Sequence, residues 1–366
     1  MSSPTKIEWT ERTWNPVVGC SLASPGCTNC YAMRTAYRMS KNPKTPQYHG
    51  TAKLANGKPV FTGKLALVEK ALLEPLKRKT PTTYFVNSMG DLFHEDMPDE
   101  WIDRVFAVMA LCPQHTFQVL TKRADRMRAY LNDLRTPNRI WNRILGVELP
   151  KHYQGDVIHA LKNMPLPNVW LGVSVEDQKR ANERVPELLA TPAAIRFISA
   201  EPLLGPVYLS LLSLGPGKYP GLRAVGDTLD ALSGEKVEGT QSGYLRSQFG
   251  AAIDWVIVGG ESGPNARAMH PDWVRSLRDQ CKAAGTAFFF KQWGAWTVEI
   301  DRDRDDPDWR ANYSKAHRDG WSILNLAGGI GFHGERVCLM RRTSKKAAGR
   351  LLDGREWNEM PERVAA

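Results

Sequence analysis

The sequence lacks any run of about 18 apolar residues, which is the minimum for a helix that crosses a bilayer. Residues 1–9 are polar as a group, so they do not show the basic and then apolar pattern of a secretory signal. An exported or membrane-spanning protein is therefore not expected. We predict a soluble, cytoplasmic protein without a membrane partner.

Cysteine is scarce, with six residues in a chain of 366. Three of them lie between Cys20 and Cys30, and the other three are scattered singly along the chain. This distribution does not resemble the disulfide framework of a small secreted domain. Ligation of a metal ion or a metal cluster explains the crowded group better.

Acidic residues are also fewer than basic ones. The chain has 49 Lys and Arg residues against 39 Asp and Glu residues, which gives a formal net charge of +10. A positive balance favours approach to polyanions, although a basic surface without a specific partner gives the same count. DNA or a nucleotide is therefore a candidate partner.

Short apolar runs rich in β-branched residues recur along the chain, and most are followed by a stretch with helical periodicity. This alternation predicts strand-helix units in a parallel sheet. The runs, which all end in residues able to bind or react, are 13–20, 84–91, 117–123, 169–176, 196–202, 255–262 and 287–293. Because the loops after the strands of a barrel converge on one face, we predict an α/β fold with a partial or full TIM-like (β/α) barrel. A doubly wound open sheet would concentrate such residues at one switch point.

The chain length and a hydrophobic content of 42% are sufficient for one large domain with insertions. We assign residues 1–296 to the barrel. Two stretches that break its rhythm, at about 131–167 and 211–250, are predicted insertions, the second a mobile, glycine-rich loop. Residues 297–366 form a charged carboxyl-terminal extension, whose basic run 341–350 is either a solvated surface or a nucleic-acid contact.

Cys20, Cys27 and Cys30 supply three thiolates within one short segment whose glycines allow tight folding. A structural zinc ion takes four protein ligands, whereas three cysteines on a 4Fe–4S cluster leave one iron open for a small molecule. The count of three therefore favours an iron–sulfur cluster. Zinc with His49 or Cys281 as a fourth ligand is one alternative, and thiols without metal are another.

The segment 87–91 ends the second predicted strand and combines flexible backbone with an acid. This combination suits the binding of an amino group, such as that of a methionine moiety, by Ser88, Gly90 and Asp91. A turn followed by a helix cap would give the same residue pattern.

Ser174 and Glu176 are two apart on one predicted strand, so their side chains share a face and can reach the hydroxyl pair of a ribose. Gly259 and Gly260, followed by Glu261, bring bare backbone to another strand end, against which a flat adenine can lie. A simple turn is the alternative explanation of the two glycines.

Further strand ends carry cations, an amide and an indole. Arg123, Gln292 and Trp293 are candidate contacts to nucleic acid, because they can bind phosphate and stack on a base. For Lys122 and Arg123 the alternative is a salt bridge to a neighbouring acid. For Trp293 it is a position in the core.

Glu201, Lys291 and Lys122 are the candidate catalytic residues. Glu201 precedes a proline at a strand end, where a carboxylate is costly to bury without a partner. It is therefore either paired with a cation or in contact with a ligand.

The sequence motifs resemble those of a widespread phage and prophage family of three-cysteine proteins, itself similar to a branch of the radical S-adenosylmethionine (SAM) superfamily. The resemblance extends over residues 9–296, with an echo at 349–355. The motifs are 14–20 (WNPVVGC) with Cys27 and Cys30, 87–95 (NSMGDLFHE), 120–123 (LTKR), 170–176 (WLGVSVE), 257–263 (IVGGESG) and 289–293 (FFKQW). Six residues separate the first two cysteines, whereas the commonest spacing in the superfamily is three.

This resemblance implies a barrel of the radical SAM type, a 4Fe–4S cluster on the three cysteines, and SAM bound to the fourth iron. It also implies a 5′-deoxyadenosyl radical and an electron donor such as a flavodoxin. Some phage relatives are implicated in thymidine hypermodification, in which the radical SAM member isomerises N-linked to C-linked glycinyl-thymidine. We therefore expect modification of a nucleobase in DNA, with that isomerisation as the specific candidate, in the host cytoplasm if the chain is phage-encoded.

Two other functions fit the same residues. A radical SAM lyase that repairs DNA photoproducts would share the cluster and the DNA partner and differ in substrate. A zinc-stabilised nucleic-acid-binding protein without catalysis would use the same cysteines and would not respond to SAM.

Overall fold

The structure is a computed structural model, and it describes residues 3–149, 164–214, 227–240, 243–301, 318–330 and 336–362. The strands are β1 (Ser3–Pro4), β2 (Arg12–Trp14), β3 (Val17–Val18), β4 (Ala52–Ala55), β5 (Lys58–Phe61), β6 (Ala66–Leu67), β7 (Thr83–Val86), β8 (Thr116–Thr121), β9 (Val169–Ser174), β10 (Ile195–Ala200), β11 (Leu212–Ser213), β12 (Thr228–Asp230), β13 (Glu235–Thr240), β14 (Gly243–Gln248), β15 (Trp255–Gly259), β16 (Ala287–Gln292), β17 (Trp296–Asp301), β18 (Trp321–Asn325) and β19 (Val337–Arg342). The α-helices are α1 (Tyr31–Ser40), α2 (Glu69–Leu72), α3 (Asp99–Ala110), α4 (Ala124–Asn132), α5 (Thr136–Leu145), α6 (Gln178–Leu189), α7 (Pro271–Ala284) and α8 (Lys345–Ala348). Among these described residues, no helix combines the length and the apolar character needed to cross a membrane.

The main sheet has eight strands in the hydrogen-bonded order β1, β2, β7, β8, β9, β10, β15, β16. Strand β1 is antiparallel to β2, and the other seven strands form a parallel sheet of the curled half-barrel kind. Parallel sheets are covered on both faces, and every residue of β9 is accordingly buried. The prediction of an α/β fold with a TIM-like parallel sheet is confirmed at this level, and the radical SAM type remains a prediction.

The chain divides into two compact units, and the predicted end of the barrel at residue 296 lies inside the second. The first unit comprises Met1–Val173, Ala190–Phe197 and Glu362–Ala366, and the second comprises Ser174–Leu189 and Ile198–Pro361.

Aromatic side chains from neighbouring strands build the core of the first unit. The ring of Phe117 on β8 lies 5.4 Å from that of Trp14 on β2 and 5.5 Å from that of Tyr84 on β7. Helix α3 buries an apolar face because Ile102, Val105 and similar residues recur at helical spacing. This core fixes the ends of β2, β7 and β8 relative to one another.

The first predicted insertion, 131–167, is largely helical where it is described. It contains the end of α4 and all of α5, while residues 150–163 lie outside the described ranges. Helix α5 is attached to α3 through an ion pair of 3.2 Å between Arg139 and Asp103.

In the second unit, β15 and β16 form a parallel pair next to helix α7. His270 caps this helix by accepting a hydrogen bond from the Asp272 N–H at 3.1 Å. Gly285 ends it with a φ of 72°, a conformation that favours glycine.

The second predicted insertion is not a loop over its described part. Strands β11 to β14 form an antiparallel sheet there, in which the fully buried Leu212 and Leu229 lie opposite each other. Buried cross-strand pairs order this sheet despite its glycines. A three-stranded sheet, β17-β19-β18, occupies part of the predicted extension, while 302–317, with most of its acidic run, lies outside the described residues.

Candidate functional site

The cysteine loop (residues 20–30) begins just after β3 in the first unit. Gly19 has a φ of 99°, and a Cβ atom there would lie 2.1 Å from the Lys64 carbonyl oxygen. Gly19 also forms a parallel bridge with Gly90. Glycine at both positions permits this close approach, which brings Cys20 next to the chain that leaves β7.

All three cysteines of the loop are free thiols and are half-buried. Burial raises the pKa of the Cys20 thiol to about 12, with a further rise from the Asp91 carboxylate and an opposing effect of Arg123. Burial also raises the pKa of Cys30, and the charge of Cys27 acts in the same direction on both thiols. Without a bound cation, both thiols therefore favour the neutral form at neutral pH.

The Arg123 guanidinium connects the cysteine loop to the ends of β7 and β8. Its Nη1 lies 3.2 Å from Asp91 Oδ2 and 3.5 Å from Cys20 Sγ. Its Nε donates to Glu95 Oε2 at 2.8 Å, and its Nη2 donates to Ser21 Oγ at 2.6 Å. Burial alone would lower the pKa of Arg123, but the two carboxylates raise it above its ordinary value. A permanent positive charge thus lies beside the Cys20 sulfur.

Asp91 accepts four hydrogen bonds from the protein itself. Its Oδ1 accepts from the Phe93 N–H at 3.0 Å and the Thr121 hydroxyl at 2.6 Å, and its Oδ2 accepts from the Lys122 N–H at 3.1 Å. The fourth donor is Arg123. The carboxylate is therefore committed to joining the ends of β7 and β8, and the predicted contact to a ligand amino group would have to displace one of these donors.

Asn87 and Ser88 follow β7 directly. The Ser88 hydroxyl has a hydrogen-bond acceptor within the protein, whereas the side-chain amide of Asn87 is only partly hydrogen-bonded. Asn87 Oδ1 accepts from the Val17 N–H at 3.3 Å, but its buried Nδ2 has no hydrogen-bond partner in the described part of the chain. A buried donor without a partner is costly, so it suits an acceptor on a bound molecule. The Ser88 hydroxyl is already used, because it donates to Asn15 Oδ1 at 3.1 Å.

The donor set fits an iron–sulfur cluster in kind, since three free thiols share one loop beside cations. Lys122 is half-buried, and its charge opposes the rise that burial causes in the pKa of Cys30. Over the described ranges, however, no three His, Cys, Asp or Glu side chains are gathered closely enough to hold a metal ion. Binding a cluster therefore requires the thiols to converge further. Of the alternative zinc ligands, His49 contacts a backbone oxygen at 3.4 Å, and Cys281 is fully buried in α7.

In the second unit, Glu201 and Lys291 form an ion pair at strand ends. The Lys291 Nζ lies 3.0 Å from Glu201 Oε1, and the Ser199 hydroxyl donates to Glu201 Oε2 at 3.2 Å. The Glu201 side chain is 15% exposed and that of Lys291 is 17% exposed, so the ion pair is partly open to solvent. Of the two possibilities for Glu201, pairing with a cation is the one found.

A β-bulge positions Lys291. Strands β15 and β16 pair regularly as far as Val258 and Phe290, after which Gly259 lies opposite Gln292. Lys291 is the extra residue, and such bulges redirect a side chain beside functional sites.

Gly259 and Gly260 are required by contacts within the protein. A Cβ atom on Gly259 would lie 2.5 Å from Glu201 Oε1, and one on Gly260 would lie 2.1 Å from a backbone oxygen just after β16. Contacts within the protein thus explain both glycines without a ligand, and the adenine contact remains a prediction. Glu261 is held by Arg267, whose Nε and Nη2 donate to it at 2.9 Å and 2.6 Å.

The two predicted ribose contacts are tied to helix α6 by one arginine. Arg184 Nη1 donates to Glu176 Oε2 at 2.7 Å and to the Ser174 backbone oxygen at 2.8 Å. Glu176 is fully buried and Ser174 nearly so. The structure brings the two residues together, but a ligand would have to open this ion pair to reach Glu176.

The sequence predicts that Gln292 and Trp293 contact nucleic acid, but both side chains make contacts within the protein. Gln292 Nε2 donates to the Gly260 backbone oxygen at 2.8 Å, while its Oε1 has no hydrogen-bond partner among the residues described. Trp293 is nearly buried, donates to the Leu351 backbone oxygen at 2.8 Å and packs on Phe290. Trp293 therefore belongs to the core, which is the alternative considered for it.

Sequence reasoning misses Ser21, Glu95 and Asn87 as individual contributors to the site. Ser21 and Glu95 are recognisable only through their contacts with Arg123, which lies far from both along the chain. The signals available in the sequence are that Ser21 adjoins a predicted ligand and that Asn87 and Glu95 are the ends of the motif 87–95.

Comparison with protein-family models matches residues 4–361 to a family described as proteins of unknown function, DUF5131. The chain belongs to this family. Neither the curated proteins nor the solved structures gave a match. The DUF5131 match extends over both units, so the family is not defined by the cysteine loop alone.

Proposed function

We propose that this chain is a radical SAM enzyme that modifies a nucleobase in DNA. The observation that carries the proposal is the cysteine loop, which has three free, half-buried thiols, and in which the Cys20 sulfur lies 3.5 Å from Arg123 at the carboxyl end of β8. Parallel barrels place their active sites at the carboxyl ends of their strands. The resemblance of the cysteine and strand-end motifs to a radical SAM family supports the same function.

Cys20, Cys27 and Cys30 would hold a 4Fe–4S cluster, since three thiolates leave one iron free to bind SAM. When bound, the cluster and SAM would supply the radical chemistry. Arg123 and Lys122 place positive charge next to the thiols, which stabilises their deprotonated form.

The end of β7 offers a hydrogen-bond donor for a SAM molecule. Asn87 Nδ2 suits the carboxylate of a methionine moiety, because it is a buried N–H without a protein partner among the described residues. Gly90 packs closely against the Gly19 backbone, so its contact to SAM remains a prediction. The amino group, ribose and adenine contacts proposed for Ser88, Ser174 and residues 259–261 remain predictions.

The pair Glu201 and Lys291 is the candidate for substrate contacts in the second unit. A carboxylate accepts and an ammonium donates, so together they can hydrogen-bond the edge of a nucleobase or exchange a proton with it. A net charge of +10 favours a polyanionic substrate. The specific candidate reaction is the isomerisation of N-linked to C-linked glycinyl-thymidine. A base in a duplex would have to be flipped out of the stack to react, at a cost of a few kcal/mol.

The test is SAM cleavage. The anaerobically purified protein is incubated with dithionite and SAM, and 5′-deoxyadenosine is quantified by chromatography. We expect 5′-deoxyadenosine from the wild type and none from Cys27→Ala. Cys281→Ala should behave as the wild type, because this cysteine is buried in α7 rather than in the loop.

Two DNA substrates then distinguish the isomerase from the photoproduct lyase. DNA containing N-linked glycinyl-thymidine and ultraviolet-irradiated DNA are digested after reaction, and their nucleosides are analysed by mass spectrometry. Conversion of the first supports the isomerase, whereas repair of the second alone would replace it by the photoproduct lyase. A protein that binds zinc and leaves SAM intact would refute the radical SAM function.

A further inference from the structure

A run of positive charge in the second unit is not used by the site described so far. Residues 341–350, here called the basic rim, extend from the last residues of β19 through helix α8 and contain no acidic residue. The cations of the basic rim are Arg341, Arg342, Lys345, Lys346 and Arg350. All of them except Arg350, which is half-buried, are exposed.

The basic rim is fixed next to the carboxyl end of β16. The Thr343 N–H donates to the Ala295 backbone oxygen at 2.8 Å, and the Trp293 N–H donates to the Gly349 backbone oxygen at 3.2 Å. These bonds hold the rim against the chain that immediately follows Lys291. Its position is therefore set by backbone hydrogen bonds rather than by charge.

The rim also borders the loop that leaves β15. Arg342 Nη2 donates to the Gly263 backbone oxygen at 3.3 Å. The two strand ends beside the rim, those of β15 and β16, carry Gly259 and Lys291. The rim is thus hydrogen-bonded to the segments that follow both of these strands.

Two arginines of the rim lie next to acidic side chains. Glu299 contacts Arg341, with side chains that are 31% and 46% exposed, and Glu356 lies 3.8 Å from Arg350. Exposed ion pairs contribute little to stability, so a phosphate can readily replace these carboxylates. By sequence, the rim itself carries five cations and no acid.

We infer that the basic rim binds the phosphate backbone of the nucleic acid whose base is presented to the neighbouring strand ends. The inference rests on the proposed function in taking DNA as the substrate. Contacts to phosphate fix the position of the nucleic acid without reading its sequence, which matches a surface of exposed Lys and Arg side chains. The rim would therefore supply affinity and orientation but no base preference.

The experiment measures binding of fluorescein-labelled duplex and single-stranded DNA by anisotropy between about 50 and 200 mM salt. The test variant is Arg342→Glu/Lys346→Glu, which changes two exposed cations of the rim. The matched control is Lys53→Glu/Lys58→Glu, which makes the same change in net charge at exposed positions of β4 and β5 in the first unit. Anionic phospholipid vesicles serve as a second polyanion.

We expect the test variant to bind DNA at least about tenfold more weakly than the control at low salt. The slope of log affinity against log salt should also become shallower by about 1 for each phosphate that the variant no longer neutralises. Equal affinities for the test and control variants would overturn the inference. So would a variant that fails to bind vesicles and retains DNA binding.

The assay requires no SAM cleavage, so the inference and the proposed function fail separately. DNA binding that depends on the rim, in a protein that does not cleave SAM, would refute the function and leave the rim as a nucleic-acid contact. SAM cleavage by a protein whose DNA binding does not depend on the rim would support the radical SAM function and refute the rim as a nucleic-acid contact.

Discussion

Arg123 provides a sharp test of the geometry around the cysteine loop. Its side chain is only 10% exposed, and it contacts Asp91, which is 7% exposed, and Glu95, which is 56% exposed. Replacing it by methionine keeps most of the volume and removes the charge. Removing one partner of a buried ion pair costs about 3–5 kcal/mol, whereas the exposed pair with Glu95 adds less than about 1 kcal/mol.

We expect Arg123→Met to lower the free energy of unfolding by about 3 kcal/mol, at the low end because Asp91 keeps three other hydrogen bonds. Arg123→Lys should lose only about 1 kcal/mol, because it retains the charge and gives up the forked contacts. Arg135→Met is the control, since this arginine is 83% exposed and should contribute less than about 0.5 kcal/mol.

The assay is urea unfolding followed by tryptophan fluorescence, with a double-mutant cycle that adds Asp91→Asn. The combined variant should lose less than the sum of the two single variants, because neither charge is then left unpaired. An Arg123→Met protein as stable as the wild type would refute the reasoning. So would additive losses in the cycle.

Three further predictions concern the second unit and the glycines. In a urea double-mutant cycle, Glu201→Gln and Lys291→Met should each cost about 2 kcal/mol and together at least about 1 kcal/mol less than their sum; additivity would exclude the ion pair. Gly260→Ala should cost more than about 3 kcal/mol in thermal unfolding, since its Cβ would lie 2.1 Å from a backbone oxygen, whereas Gly146→Ala, with its nearest neighbour at 3.6 Å, should be tolerated. Burial lowers the pKa of His270 from 6.5 to about 4, so the unfolded chain binds its proton first as the pH falls, and about 3 kcal/mol of stability should be lost between these values. Urea unfolding measured at several pH values across this range should give a free energy of unfolding that depends less on pH in His270→Asn than in the wild type. An equal pH dependence in the two proteins would contradict a buried neutral histidine.

The parallel strands could be predicted because their apolar runs are local features of the sequence. The segment 169–176 contains β9, and 117–123 contains most of β8. The antiparallel sheet within 211–250 could not be predicted in the same way. Its order depends on contacts between strands, such as that of Leu212 with Leu229, rather than on the composition of one segment.

The candidate site, too, could be predicted only in part. The proximity of Cys20, Cys27 and Cys30 follows from their short spacing, whereas the contact between Asp91 and Arg123 requires the ends of two strands to meet. Local sequence contains the first kind of information and not the second.

Glycines and strand-end acids show what a sequence pattern leaves open. The pair Gly259 and Gly260 indicates that no side chain fits, but a ligand and the protein's own atoms exclude a Cβ equally well. Glu176 is suited in the same way to a ribose or to a cation, and its position beside the returning helix α6 gives it Arg184. Only the tertiary structure distinguishes these possibilities.

The central claim, that the cysteine loop holds an iron–sulfur cluster, is tested most directly by metal and sulfide analysis of the anaerobically purified protein with its visible spectrum. A brown protein with about four irons and about four acid-labile sulfides per chain, both absent from Cys27→Ala, is the predicted result. A colourless protein with about one zinc per chain, or with no metal bound by these thiols, would contradict it.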